Sequence, residues 1–171
     1  MTSITKLPTT PGSIVTFTDW ADKNKTEKFT YVTTLLAGEI TNGEVKGQVW
    51  GDAYTDPDGA DTFTEERILA GNPHLVYEAV VNHDFAAFDV ATPEERFGQV
   101  VVFETDEEEF VHFDNGVEHV IWEKATATFA PGILDPMTGK LTEGFWVTGY
   151  GATYTLELIL EREWKVIAKG L

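Results

Sequence analysis

Two of the four histidines flank a short turn and could act together in chemistry. Asn115 and Gly116 form a strong two-residue hairpin signal, because both central positions of a type I′ turn need positive φ. That turn would place His112 directly opposite His119, with the two Cβ atoms roughly 5 Å apart. Paired imidazoles could share a metal ion or act as an acid and a base near neutral pH. No third ligand is identifiable from spacing, so an exposed cross-strand pair is the simpler interpretation.

Acidic residues after the first third of the chain partly match a calcium-binding loop. Asp56, Asp58 and Glu65 fall at the third, fifth and twelfth positions of an EF-hand loop. Tyr54 stands at the first position, where a carboxylate is needed, and helices are not predicted on both sides. The pattern therefore favours an acidic surface turn, with a weak cation site as the alternative.

A third histidine has a carboxylate as its neighbour in sequence. His83 precedes Asp84 and lies close to Phe85 and Phe88, so a catalytic histidine in an apolar pocket is conceivable. Adjacent residues of a strand point to opposite faces, however, which argues against direct contact between His83 and Asp84. A structural histidine is the simpler interpretation.

Motifs of well-known enzyme classes are missing from the sequence. It has no cysteine, no G-x-S-x-G and no glycine-rich phosphate loop. Thiol catalysis, thiolate metal sites and disulfides are thereby excluded. The sequence predicts no cofactor, leaves the catalytic residues unknown, and leaves open whether the protein is an enzyme.

Five aromatic residues could line a ligand cavity in a closed barrel: Trp20, Trp50, Trp122, Trp146 and Tyr150. Such a barrel could bind a small apolar ligand and work as a cyclase, isomerase or hydratase through its shape and a few polar groups. Aromatic residues at these positions serve more often as plain core.

The elements that must position these residues are mostly strands. Much of the sequence alternates apolar and polar residues with a period of two, and turn signals separate the alternating segments. Residues 1–12 are predicted to form an extended N-terminal arm, because Pro8 and Pro11 disfavour helix. Residues 13–171 are predicted to form a single antiparallel β-barrel or β-sandwich of about eight strands, with one or two short helices.

Some boundaries can be read more closely. Thr64 is a candidate N-cap for a short helix that ends at Gly71. The segment Pro131–Glu143 is rich in turn residues and is predicted to be a long loop. The final alternation favours a strand through about residue 162, although the spacing of apolar residues in 156–171 also fits a helix.

Charge limits the classes of partner. The chain has 29 Asp and Glu against 12 Lys and Arg, a formal net charge of −17, which argues against nucleic acid and anionic membranes. The acidic run Glu104–Glu109 predicts a solvated hairpin, with docking of a basic partner as the alternative.

Residues 1–10 do not read as a signal peptide, and no stretch has 18 apolar residues. We therefore expect a soluble protein that is cytoplasmic, or part of a virion if phage-encoded.

These observations favour a non-catalytic assembly or interaction protein that forms homo-oligomers or binds a protein partner. A virion tail-tube or decoration subunit is an example, and exposed β edges could pair between its copies. Residues 7–15 resemble the openings of small actinobacteriophage proteins, but nine residues of 171 assign no family. The alternatives are the ligand-binding barrel and an acidic DNA mimic, whose carboxylates would need the spacing of phosphates on one face.

Overall fold

Among the residues that the structure describes, two antiparallel sheets of six strands each pack together in a sandwich-like arrangement, which confirms the mostly β class and agrees with the sandwich rather than the barrel. The computed structural model describes residues 1–21, 23–41, 44–56, 59–81, 96–148 and 152–171. At 39–41, 44–48, 53–56 and 59–61 it describes the backbone alone.

The strands of each sheet come mainly from one half of the chain. Sheet A contains, in spatial order, β1 (Thr2–Ser3), β6 (His74–Tyr77), β2 (Ile14–Trp20), β3 (Lys28–Thr41), β4 (Glu44–Asp56) and β5 (Gly59–Phe63). Sheet B contains, in spatial order, β11 (Thr153–Tyr154), β10 (Leu141–Val147), β9 (Val117–Leu134), β8 (Val100–Asp114), β12 (Trp164–Lys169) and β7 (Val80–Val81). Two short helices complete the described elements, α1 (Glu65–Ala70) and α2 (Leu156–Leu160).

Each helix contributes to a separate buried cluster. Ile68 of α1 packs with residues of sheet A such as Phe17 and Trp50, whereas Ile159 of α2 packs with residues of sheet B such as Phe129. Both isoleucines are fully buried. Burial of each isoleucine stabilises its helix by about 1.5–3 kcal/mol relative to exposure. Both helices depend on such contacts, because isolated helices of one or two turns are not stable in water.

The two sheets meet closely along β3 and β9, where small and hydroxyl side chains let the backbones approach. The Ala37 N–H donates a hydrogen bond to Thr128 Oγ1 at 3.1 Å, and Thr126 Oγ1 donates to the Gly38 carbonyl at 2.9 Å. The pairing of β3 with β4 shifts register between Leu36 and Ala37. Such a shift disturbs the ladder, and threonines of the facing sheet provide the hydrogen bonds there.

The predicted start and end of α1 are confirmed. The Thr64 hydroxyl accepts a hydrogen bond from the Arg67 N–H at 3.2 Å, as an N-cap does, and Gly71 is the C-cap. Glu65 and Glu66 occupy the first turn, where the helix dipole favours negative charge.

The strand expected through residue 162 is wrong. Thr155 is an N-cap whose hydroxyl accepts from the Leu158 N–H, so the chain forms α2 before it enters β12. Alternating leucines fit both a strand and a short helix, and the cap decides between them locally.

The loop expected over Pro131–Glu143 is also wrong in its extent. β9 continues to Leu134 and β10 begins at Leu141, which leaves residues 135–140 as the connection. The last β8–β9 pair joins Val100 to Thr128. Pro131 lies beyond that pair, so β10 is the one described strand that flanks it. Sheets tolerate proline where a neighbouring strand is missing.

The N-terminal residues lie against sheet A. β1 pairs with β6, and the Ile4 N–H donates to the Pro73 carbonyl at 3.0 Å. Leu7 is buried in the cluster that contains Ile68.

Candidate functional site

The hairpin of β8 and β9 extends well past the strands that flank it. β12 pairs with β8 only as far as Phe103, and β10 pairs with β9 only from Thr128 onward. Beyond these limits the described chain is a two-stranded ribbon, and we call residues 106–123 the arm. Nine consecutive exposed residues, Asp106–Asp114, form its first strand, which corresponds to a length of about 30 Å.

The turn at the end of the arm is the one expected from the sequence. Asn115 has φ 51° and Gly116 has φ 79°, and Asp114 pairs with Val117. His112 pairs with His119, and their rings stack with centroids 5.1 Å apart and 17° between their planes. The predicted cross-strand pair is confirmed, and both histidines are exposed.

The arm has apolar side chains on both of its faces. Phe110 and Val117 lie on the face of the two histidines, and Val111 and Phe113 lie on the other face, as the pairing register requires. Phe110 is 54% exposed and Phe113 is 70% exposed. A strand of an antiparallel sheet that covers a core on one side has one apolar face, so a ribbon that exposes aromatic rings on both faces is unusual.

Negative charge covers the same ribbon. The arm contains seven acidic residues and no Lys or Arg. A hydrogen bond with Glu107, together with repulsion from its charge, raises the pKa of the Glu123 carboxyl above its ordinary value. Burial raises the pKa of the Tyr154 hydroxyl, and the nearby Glu107, Glu123 and Asp106 raise it further. The base of the arm is therefore a region of negative potential.

One cation holds the base of the arm against the sandwich. The Arg162 guanidinium lies over the Trp122 ring, with Cζ 3.8 Å from the ring centroid, and it donates a hydrogen bond to the Thr105 carbonyl at 2.8 Å. A cation over the face of a Trp ring is worth about 0.5–2 kcal/mol. Arg162 thus connects the segment between α2 and β12 to β8 at Thr105, just before the arm begins, and to the arm itself at Trp122.

A groove of about 910 Å³ lies where the arm leaves the sandwich. Its lining includes Glu107, Glu123, Lys124, Thr126 and Tyr154. These side chains present carboxylates, hydroxyls and one ammonium to the groove.

The four tryptophans that the sequence suggested as cavity-lining residues lie in different parts of the molecule. Trp146 packs on Phe129 in the cluster of sheet B, whereas Trp50 is buried in the cluster of sheet A and α1. Trp20 is 37% exposed at the end of β2, and Trp122 lies on the arm. They do not line one cavity, and Tyr150 lies outside the described residues.

The other candidate residues are scattered or not described. Glu65 is an exposed residue at the start of α1. The side chain of Asp56, and all of Asp58 and His83, lie outside what the structure describes. Within the described residues, no three His, Asp or Glu side chains come close enough together to hold a metal ion.

The sequence predicted this hairpin and its turn, but not that the hairpin extends past its flanking strands as an arm. The extension nevertheless left a signal in the sequence. Phe110, Val111 and Phe113 are apolar at both odd and even positions, next to the acidic run Glu104–Glu109. Odd and even positions of a strand point to opposite faces, so apolar residues at both kinds of position give the strand no single apolar face to bury. The solvent exposure predicted for this acidic run agrees with its exposed residues from Asp106 onward.

Comparisons with known proteins found no match, so a function can be proposed only from the arm and the groove. No protein-family model matches the chain, and no curated protein or solved structure shows significant similarity to it. In the part of the chain that the structure describes, neither helix has the length and apolar character needed to cross a membrane.

Proposed function

We propose that this protein is a non-catalytic assembly subunit that contacts other protein chains through its arm. The observation that supports the proposal is a two-stranded ribbon, residues 106–123, that leaves aromatic rings exposed on both faces. A two-stranded hairpin alone is at best marginally stable in water. Contact with another chain would bury the rings and stabilise the ribbon.

The edges of the arm support the same function. Between Asp106 and Asp114 no described strand pairs with the outer edge of β8, and between Val117 and Ala125 none pairs with that of β9. Unpaired backbone N–H and carbonyl groups can add a strand from another chain. We infer a subunit of a repeated assembly, of the tail-tube or decoration type found in virions, and the large net negative charge would keep such subunits soluble before assembly.

Native mass spectrometry and light scattering test the proposal. We expect the wild-type chain to form oligomers, and the double variant Phe110→Ser/Phe113→Ser to lose them, because both rings are exposed on the arm. Met137→Ser is the matched control, since Met137 is 91% exposed in the loop 135–140 and away from the arm in sequence. A wild-type chain that stays monomeric at every concentration, with and without candidate partner proteins, would overturn the proposal.

A second candidate function rests on the groove at the base of the arm. Its volume of about 910 Å³ lies within the usual range of roughly 300–1,000 Å³ for small-molecule sites. Native mass spectrometry of freshly purified protein would support this function if a small molecule is retained, and if Tyr154→Ala reduces the retained fraction. Protein without any retained mass would count against it.

A further inference from the structure

The turn between β2 and β3, at one end of sheet A, has a charge opposite to that of the arm. Three of the nine lysines in the chain, Lys23, Lys25 and Lys28, fall within six residues, and all three are exposed. Residues 20–29 contain these three lysines and two acids, so their net charge is +1 in a chain of net charge −17. We call residues 20–29 the basic turn.

The basic turn also presents aromatic surface. Trp20 is 37% exposed and Phe29 is 54% exposed. The Lys28 ammonium lies 4.9 Å from the centroid of the Trp20 ring. Aromatic residues beside lysines form a surface that can receive both apolar side chains and carboxylates.

The arm has the complementary chemistry. Around its turn, Phe113 and Val117 are exposed, and Asp114 and Glu118 are exposed beside them. Contact between two arms would place these carboxylates against one another, at a cost in free energy that opposes such pairing. Contact with the basic turn would instead match carboxylates with ammonium groups and rings with rings.

We propose that the arm of one copy docks on the basic turn of a second copy. This inference rests on the proposed function and names the partner surface that the arm would use. Each copy then offers one arm and one basic turn, so the contact is heterologous, and repetition yields a closed ring or an open filament. The arm supplies 18 residues (106–123), close to the roughly 20–30 residues per side of a standard protein interface.

Mixing two defective variants tests the inference. The arm variant Phe110→Ser/Phe113→Ser keeps an intact basic turn, and the turn variant Lys25→Glu/Lys28→Glu keeps an intact arm. Each variant alone should lose the larger species seen for the wild type. Their equimolar mixture should form a 1:1 dimer that does not grow, because only one productive arm and one productive turn remain.

A charge-matched control and a second pair of variants distinguish loss of the contact from misfolding. Lys6→Glu/Lys140→Glu makes the same change of charge at exposed positions outside the basic turn, and it should assemble like the wild type. If either mixing variant lacks the far-ultraviolet circular dichroism of the wild type, Asp114→Lys/Glu118→Lys replaces the arm variant and Lys23→Glu/Lys25→Glu replaces the turn variant. Combining the changes Asp114→Lys, Glu118→Lys, Lys23→Glu and Lys25→Glu in one chain should restore assembly.

The outcomes separate the inference from the proposed function. If the turn variants assemble like the wild type while the arm variants do not, the arm docks elsewhere, and the inference is overturned while the proposed function stands. A wild-type chain that never assembles overturns both. A capped dimer that forms in 0.05 M salt and weakens in 0.5 M salt supports the charge-matched contact, because salt screens exposed pairs.

Discussion

At the contact between the two sheets, individual side chains accept hydrogen bonds from backbone groups that have no partner within their own sheet. Ala37 lies where the register of β3 and β4 shifts, and its N–H donates to the hydroxyl of Thr128 on the facing sheet. Both residues are buried. A side chain of one sheet therefore satisfies the backbone of the other, which ties the two sheets together at a defined point.

Replacing Thr128 by Val should destabilise the fold. Valine has nearly the same shape but accepts no hydrogen bond, so the buried Ala37 N–H would lose its partner at a cost of about 1–3 kcal/mol. Thr128→Ser keeps the hydroxyl and should cost less. Urea unfolding measures both free energies, and a Thr128→Val variant as stable as the wild type would show that this hydrogen bond is not needed.

The ion pair between Asp19 and Arg67 should give a pH-dependent contribution to stability. The Arg67 hydrogen bond, and then the Trp20 N–H, lower the pKa of the Asp19 carboxyl below its ordinary value. A lowered acid pKa stabilises the fold above the unfolded pKa of about 3.9, and the effect is lost as the pH falls through the folded pKa.

A double-mutant cycle with Asp19→Asn and Arg67→Gln measures this coupling. Arg67 is 42% exposed and Asp19 is 26% exposed, so we expect only about 0.5–1 kcal/mol at pH 7. The coupling should weaken as the pH is lowered from 7 to 2.5, because protonation of Asp19 removes its charge. An equal coupling at both pH values would mean that the contacts of Arg67 with the Phe63 and Tyr31 rings, rather than charge, connect the two positions.

Among the elements, the arm is built differently from the rest of the sheet. Within the sandwich, β8 and β9 are flanked by other strands and mostly buried, whereas the arm depends on its turn and on Arg162 at its base. Elements with few buried contacts open locally at low free energy, without unfolding the domain. The arm should therefore respond to mutation separately from the core.

Gly116→Val should loosen the arm while leaving the core in place. A β-branched residue resists the φ of 79° found at Gly116, so amide hydrogen exchange should accelerate across residues 106–123. Gly116→Asn is the control, because asparagine tolerates positive φ. Exchange at Val100–Phe103 should stay as slow as in the wild type, and faster exchange throughout the sandwich would show that the arm supports the whole fold.

At the scale of the whole molecule, the dominant feature is the net charge. The formal charge of −17 gives long-range repulsion between copies at neutral pH. If the protein assembles, specific contacts must overcome that repulsion, and the contrast between an acidic arm and a basic turn is one way to do so.

Solubility should fall as the pH approaches 4.4, the isoelectric point computed from the sequence. Net charge vanishes there, and the repulsion between copies vanishes with it. Light scattering and the soluble fraction after centrifugation, compared between pH 7 and pH 4.5, measure the effect. Unchanged solubility over this range would indicate that something other than net charge keeps the copies apart.

The sequence by itself determined the features that depend on neighbours in the chain. Period-two alternation predicted the β class, Asn115 and Gly116 predicted the turn and the pairing of His112 with His119, and Thr64 predicted the start of α1. These are local effects, because turn dihedrals and helix caps involve only a few consecutive residues. Local reasoning was wrong at 156–160, where alternation and a helix cap compete within the same short segment.

The tertiary structure decided everything that depends on which strands find neighbours. Whether two sheets pack face to face or close into a barrel, and where β12 and β10 stop, is fixed by packing between residues far apart in sequence. Those stopping points are what leave residues 106–123 as an exposed arm. The sequence shows the charge and the aromatic rings of the arm, but the tertiary structure decides that these rings stay exposed, because no described strand flanks them.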